Sequence, residues 1–83
     1  MSNTIPPHLR WACRRGMLEL DILLGNFLEK AYIHLPENEQ VLFVNLLKCE
    51  DQDLFEWLTG KKIPSDAETV YMISKIRATT VQY

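Results

Sequence analysis

The sequence contains few of the residues from which catalytic and metal sites are built. Its 83 residues include only two cysteines, two histidines and three glycines. Two cysteines are too few for a disulfide framework, and Cys13 and Cys49 have no His or Cys neighbours at the spacing of a zinc site. We therefore predict that both are reduced thiols and that the protein has no metal site.

Catalytic motifs are also absent. The chain has no Walker loop, no Gly-x-Gly-x-x-Gly run and no HExxH pair. A nucleophilic mechanism would need an oriented histidine, but His34 is interpreted as a cap at the end of a helix and His8 as an exposed residue. The Glu50-Asp51-Gln52-Asp53 cluster could suggest a divalent cation site, but it lacks the ligand series and central glycine of an EF-hand, so we assign its acids to helix capping and solvation. We predict that the protein is not an enzyme.

Long hydrophobic runs are missing as well. Uncharged apolar stretches such as residues 22–28 are far shorter than the roughly 20 residues that span a bilayer. Residues 1–7 are polar and contain prolines, unlike a secretion signal. We expect no direct membrane insertion and a cytoplasmic location. A composition of 47% hydrophobic and 24% charged residues is that of an ordinary globular domain rather than a disordered chain.

Two helices are predicted in the first part of the chain. Prolines at positions 6 and 7 suit the start of a first helix over residues 8–15, with Trp11 and Cys13 pointing inward. After Gly16, apolar residues recur at three- and four-residue spacing, which predicts one buried stripe of a second helix. This stripe consists of Met17, Leu20, Leu24, Phe27, Leu28 and Ala31.

Three further helices are predicted after it. Pro36 suits the first position of a third helix, whose residues 41–47 are apolar except for one asparagine and predict the centre of the bundle. Asp51 or Glu50 can cap a short fourth helix, and Gly60 is placed to end it.

The fifth helix is predicted from a capping box. Ser65 is followed three residues later by Glu68, the spacing at which each side chain can bond the other's backbone N–H. No segment shows sustained period-two alternation. The predicted fold is therefore all-α, a single small five-helix bundle over residues 1–83, with residues 1–6 and 79–83 frayed.

The charge changes sign near Gly16. Residues 1–16 contain three arginines and no acid, whereas the rest of the chain contains all eleven acidic residues. Three arginines in a protein of net charge −2 are a weak electrostatic footprint, so we predict no binding to nucleic acid. Because glycine enters left-handed conformations freely, we expect a turn at Gly16 that holds Arg15 and Glu19 close together. The alternative for this pair is an ordinary surface ion pair.

Two tryptophans allow two interpretations. Large aromatic residues of a small helical domain usually belong to its core, and this is the first expectation for Trp11 and Trp57. If either is exposed beside the arginines, it becomes a contact anchor, because Trp and Arg are common interface hot spots.

The Arg15-Gly16-Met17-Leu18-Glu19 run, with Trp11-Ala12-Cys13 before it and Asp21 after it, resembles the SdhE family of FAD assembly factors. The same family is called the succinate dehydrogenase assembly factor 2 family. The resemblance extends over almost the whole chain. It includes the Leu46-Leu47 helix followed by acids, the Asp53 to Leu58 segment and the residues from Pro64 to Glu68.

This resemblance implies a five-helix bundle that assists covalent attachment of FAD to the flavoprotein subunit of succinate dehydrogenase, and of fumarate reductase where that enzyme is present. The protein itself would hold no cofactor tightly, since FAD becomes attached in the partner, and we expect a monomer. The resemblance names no cofactor-binding residue. The partner-binding residues that it implies are Arg15, Gly16 and Glu19, with Arg14 and Asp21 flanking them. Trp11 joins these predicted partner-binding residues as the candidate contact anchor. The alternative function is a regulatory protein-binding module such as the antitoxin of a toxin–antitoxin pair.

Overall fold

The computed structural model describes residues 5–80, which form five α-helices and one short 3₁₀ turn. No strand occurs within this part of the chain, so the all-α, five-helix prediction is confirmed. The elements are α1 (Pro7–Ala12), α2 (Leu18–Lys30), the 3₁₀ turn (Tyr32–His34), α3 (Glu37–Leu46), α4 (Asp51–Leu58) and α5 (Ala67–Thr80).

Two helices share the centre of the bundle: α2 contacts α4, α5 and the 3₁₀ turn, and α5 contacts α2, α3 and α4. The predicted apolar stripe explains the position of α2, since Leu20, Leu24, Phe27 and Leu28 are all buried. The ring of Phe27 lies 5.2 Å from that of Phe43, centroid to centroid, and this contact joins α2 to α3. Burial of one face of α2 therefore places this helix in the core.

The prediction that α3 forms the centre is wrong. Val41 is 53% exposed and Asn45 is also exposed, while Phe43, Leu46 and Leu47 are buried. The main partner of α3 is α5, so one of its faces is covered and the others reach the surface. A continuous apolar run shows that a helix has few polar residues, but it does not show how many neighbours the helix has.

The first helix is shorter than predicted, because α1 ends at Ala12 rather than at residue 15. Leu9 and Cys13, four residues apart, are both buried. Trp11 is 78% exposed, so its predicted inward orientation is wrong. It follows Leu9 by two residues, which places it about 200° around the helix, on the solvent side. Trp57, by contrast, packs against the core as expected.

The end of α4 confirms the role predicted for Gly60. Its φ of +84° is a left-handed conformation that favours glycine. The N–H of Lys61 donates to the carbonyl of Glu56 at 2.8 Å, and the N–H of Gly60 donates to that of Trp57 at 3.2 Å. This pair of hydrogen bonds is a Schellman motif, which closes the helix and satisfies two of its last carbonyls.

The start of α5 corrects the predicted capping box by one residue. Asp66, rather than Ser65, accepts hydrogen bonds from the backbone N–H of Thr69 at 2.9 Å and from its hydroxyl at 2.6 Å. These bonds lower the pKa of the Asp66 carboxyl below its usual value. A carboxylate is favoured at this position because the helix N-terminus attracts negative charge.

Three smaller expectations concern the termini, the membrane and His34. Ile5 is buried and α5 includes residues 79 and 80. The fraying of residues 1–6 and 79–83 stays a prediction, since residues 1–4 and 81–83 lie outside the described part of the chain. Within residues 5–80, no helix has the length and apolar character needed to cross a bilayer. His34, interpreted from the sequence as a cap at the end of a helix, is exposed in the 3₁₀ turn beyond the end of α2.

Candidate partner-binding site at the Gly16 turn

The segment between α1 and α2, residues 13–17, is called here the Gly16 turn. Gly16 has a φ of +86°, so its backbone conformation favours glycine. A Cβ atom added at this position would meet no heavy atom within 4 Å. The turn therefore needs glycine for its conformation, and the missing side chain leaves open space above the backbone.

Arg15 ties this turn to two other parts of the bundle. Its side chain is only 14% exposed, and its Nε donates to Oδ1 of Asp51 at 2.7 Å. Its Nη1 donates to the carbonyls of Ala12 at 2.9 Å and Leu47 at 2.8 Å, and its Nη2 donates to that of Cys49 at 2.7 Å. Carbonyls at helix ends lack intrahelical partners, and one guanidinium satisfies them here. Arg15 thus connects α1, the end of α3 and the start of α4.

Asp21 fixes the backbone of the same turn. Its Oδ1 accepts a hydrogen bond of 2.6 Å from the backbone N–H of Arg15, and the residue is half-buried in the first turn of α2. The carboxylate also lies where the helix dipole favours negative charge. Asp21 and the guanidinium of Arg15 therefore hold the Gly16 turn from two directions.

The expected proximity of Arg15 and Glu19 is not observed as an ion pair. Arg15 points inward, where a carboxylate and three carbonyls surround it. Glu19 is exposed on α2, and its carboxylate makes no hydrogen bond or ion pair with any residue between 5 and 80. Glu19 is therefore open to a group from outside the molecule.

Other side chains around the turn are exposed too. Trp11 and Arg14 lie near the end of α1, and the guanidinium of Arg14 has no hydrogen-bonding or ionic partner in the described part of the chain. Leu18 is 74% exposed, and Ile22, one helical turn later, is also exposed. Leu18, Glu19 and Ile22 share one side of α2, which combines two apolar side chains with a carboxylate.

Sequence reasoning missed Leu18 and Ile22 as site residues, although a signal for them exists. Both are large apolar residues that fall outside the stripe of α2 defined by Leu20 and Leu24. An apolar residue off the buried stripe of an amphipathic helix has to face solvent or a partner. Their position outside the buried stripe of α2 is the sequence signal that identifies both residues.

The cysteine of the Gly16 turn is not suited to catalysis. Cys13 borders a crevice of about 280 Å³ between α1 and α2, together with Arg10, Arg14 and Asp21. Burial raises the pKa of the Cys13 thiol to about 11, so the thiol stays protonated at neutral pH. Cys13 and Cys49 are both free thiols, as predicted. Among the described residues, no group of three or more His, Cys, Asp or Glu could hold a metal ion.

Comparison with known proteins places the chain in a family. The sequence model of the family described as "flavinator of succinate dehydrogenase" matches residues 7–80. The chain belongs to this family. The match begins at the first residue of α1 and ends at the last of α5, so it includes the whole Gly16 turn and every partner of Arg15.

Relatives of this flavinator family member have been curated under the name FAD assembly factor SdhE. The relative from Shewanella oneidensis is 46% identical over 69 residues, which cover 83% of this chain and 84% of the relative. The relative from Yersinia pseudotuberculosis is 46% identical over 70 residues, with coverage of 84% and 80%. That from Idiomarina loihiensis is 49% identical over 65 residues, with coverage of 78% and 72%. The resemblance to the SdhE family is confirmed.

Proposed function

We propose that this protein binds the flavoprotein subunit of succinate dehydrogenase through the Gly16 turn and promotes covalent attachment of FAD to that subunit. Family membership and the names of the relatives support this class of function. The observation that carries the proposal is the contrast at the turn. The guanidinium of Arg15 donates four hydrogen bonds inside the protein, while the side chains of Arg14 and Glu19 are exposed and have no partner within residues 5–80.

The exposed residues form a surface suited to a protein partner. A guanidinium and a carboxylate make strong, directional hydrogen bonds to complementary groups of another protein. Trp11 offers a large apolar surface with one N–H donor, and Leu18 and Ile22 add aliphatic area along α2. Interfaces typically combine aromatic and Arg anchors in this way. Gly16 lets the partner approach the backbone, because no side chain stands there.

The proposed action is to bind and hold rather than to catalyse. The flavoprotein subunit supplies the histidine nucleophile that joins the flavin, and binding of this protein shifts the subunit towards conformations that favour the attack. FAD is then held and modified in the subunit, not in this chain. In this proposal, the flavoprotein subunit of fumarate reductase is a second partner. The proposal also includes a cytoplasmic location and a monomeric state.

Co-purification tests the proposed partner. Tagged protein is expected to bring down the flavoprotein subunit, identified by mass spectrometry, and the purified subunit is expected to bind the purified protein directly. The Gly16→Arg variant is the matched control, because its side chain blocks the Gly16 turn. Recovery of a toxin in place of the flavoprotein subunit would support a regulatory module, and strongly salt-dependent binding to a DNA duplex would support a nucleic-acid function.

A further inference from the structure

We infer that Asp51 is a positioning residue for the partner-binding site, acting through Arg15 to hold Arg14 and Glu19 in the orientation that the partner recognises. The inference rests on the function proposed above. Asp51 lies 36 residues from Arg15 in the sequence and belongs to α4, which contributes none of the exposed residues of the Gly16 turn.

The geometry gives Asp51 a specific role at Arg15. It is the one carboxylate that bonds this guanidinium within residues 5–80, through the 2.7 Å contact of its Oδ1 with Nε. The other acceptors, including the carbonyls of Leu47 and Cys49, are neutral. A guanidinium is always charged, so a mostly buried one depends on a paired anion. Asp51 supplies that anion from the first turn of α4.

The position of Arg15 explains how its contact with Asp51 affects the exposed residues of the site. Arg15 stands between Arg14 and Gly16, and its own N–H is held by Asp21. Fixing both its backbone and its side chain limits the conformations of Arg14 and Gly16. Gly16 leads into α2, whose second residue is Glu19, so the orientation of Glu19 relative to Arg14 is limited as well. When only a fraction of the molecules has the turn in the conformation that the partner binds, the observed affinity equals the intrinsic affinity multiplied by that fraction. Asp51 therefore raises affinity without touching the partner.

The first test compares Asp51→Asn with Asp53→Asn. Both residues are acids of the first turn of α4, but Asp53 is exposed and makes no contact with Arg15. Affinity for the purified flavoprotein subunit is measured by calorimetry, and the helical content of each variant by circular dichroism. We expect Asp51→Asn to weaken binding about tenfold, the equivalent of one charge-assisted hydrogen bond, and Asp53→Asn to change it less than about twofold. Equal affinities of the two variants would overturn the inference.

A second comparison separates positioning from direct contact and from general destabilisation. In a Glu19→Ala background, Asp51→Asn should weaken binding by a smaller factor than in the wild-type background, because part of its effect acts through Glu19. The same factor in both backgrounds would contradict positioning. Asp51→Glu, which keeps the carboxylate, is expected to bind the subunit more tightly than Asp51→Asn does. Equal affinities of these two variants would also contradict the positioning role of Asp51.

A third measurement needs no partner. Hydrogen exchange of the Arg15 amide, followed by NMR, should be on the order of tenfold faster in Asp51→Asn and unchanged in Asp53→Asn, because release of the side chain loosens the bond to Asp21. Unchanged exchange in Asp51→Asn would overturn the inference even if the protein binds its partner. If the wild-type protein fails to bind the subunit, the proposed function fails, and the exchange data alone decide whether Asp51 holds the turn.

Discussion

Arg14 and Arg15 are adjacent in the sequence but differ completely in their surroundings. The side chain of Arg15 is 14% exposed and donates hydrogen bonds to Asp51 and to three backbone carbonyls. The side chain of Arg14 is exposed and has no hydrogen-bonding or ionic partner in the described part of the chain. One arginine holds the Gly16 turn, and the other is available at its surface.

This contrast predicts opposite effects of two alanine variants. Arg15→Ala should lower the free energy of unfolding by about 2–4 kcal/mol, because it leaves Asp51 and several carbonyls without their donor. Arg14→Ala should change it by less than about 0.5 kcal/mol, as expected for a surface substitution, while weakening partner binding. Urea unfolding of both variants measures the change in the free energy of unfolding. Similar stabilities of the two variants would show that Arg15 does not tie the helices together.

Glu19→Ala should leave the fold and the melting temperature nearly unchanged and lower the amount of covalent flavin in the partner. The reason is that the Glu19 carboxylate makes no bond within residues 5–80. Glu37→Ala is the matched control, since Glu37 is an exposed acid in the first turn of α3. Loss of helicity in Glu19→Ala would give this residue a structural role instead.

Gly16→Arg should abolish docking, because the new side chain would fill the open space over the turn. Gly16→Ala imposes the same left-handed conformation on a residue with a Cβ, at a cost of about 1–2 kcal/mol, but adds little bulk. Binding to the flavoprotein subunit is therefore expected to survive largely in Gly16→Ala. An equal loss in both variants would mean that the backbone conformation, rather than access to the surface, controls docking.

Leu18→Ser should weaken partner binding with little effect on stability, since this side chain is already mostly exposed. Ile63→Ser is the control: Ile63 is 82% exposed, but it lies in the loop between α4 and α5, outside the Gly16 turn. The affinity of each variant for the flavoprotein subunit measures the difference. Equal losses would indicate that exposed aliphatic area in general, and not this site, drives binding.

The Cys13 thiol predicts how stability changes at high pH. Its pKa is raised from 9.0 to about 11 in the folded protein, mainly by burial, so the folded state binds this proton more tightly than the unfolded state does. Its contribution is therefore fully present below pH 9.0 and is lost as the pH rises towards 11. Urea unfolding across this range should show a steeper fall for the wild type than for Cys13→Ala. Parallel curves would mean that Cys13 ionises equally in both states.

The helical framework could be predicted because its signals are local. The stripe from Leu20 to Leu28 defines α2, and the left-handed Gly60 ends α4. The start of α5 could be predicted only to within one residue, since Ser65 and Asp66 are both good capping residues and only the structure shows that Asp66 bonds Thr69. The surroundings of α3 depend on which helices pack against it, and composition does not contain that information.

The candidate site could be predicted only in part for a similar reason. The glycine at position 16 predicts a turn, and the adjacent charged residues predict a polar surface. The partner of Arg15 could not be predicted, because Asp51 is 36 residues away and meets it only when α4 packs near the end of α1. Local spacing pairs Arg15 with Glu19, whereas long-range packing pairs it with Asp51 and frees Glu19.

The central proposal is tested most directly by measuring covalent flavin. Purified apo flavoprotein subunit is mixed with excess FAD, with and without this protein, and in-gel flavin fluorescence is read after denaturing electrophoresis. We predict that fluorescence rises with the wild-type protein and with Glu37→Ala, and that it stays near the unaided level with Glu19→Ala. No rise with the wild-type protein, under conditions where the subunit slowly acquires flavin unaided, would contradict the proposed role in flavin attachment.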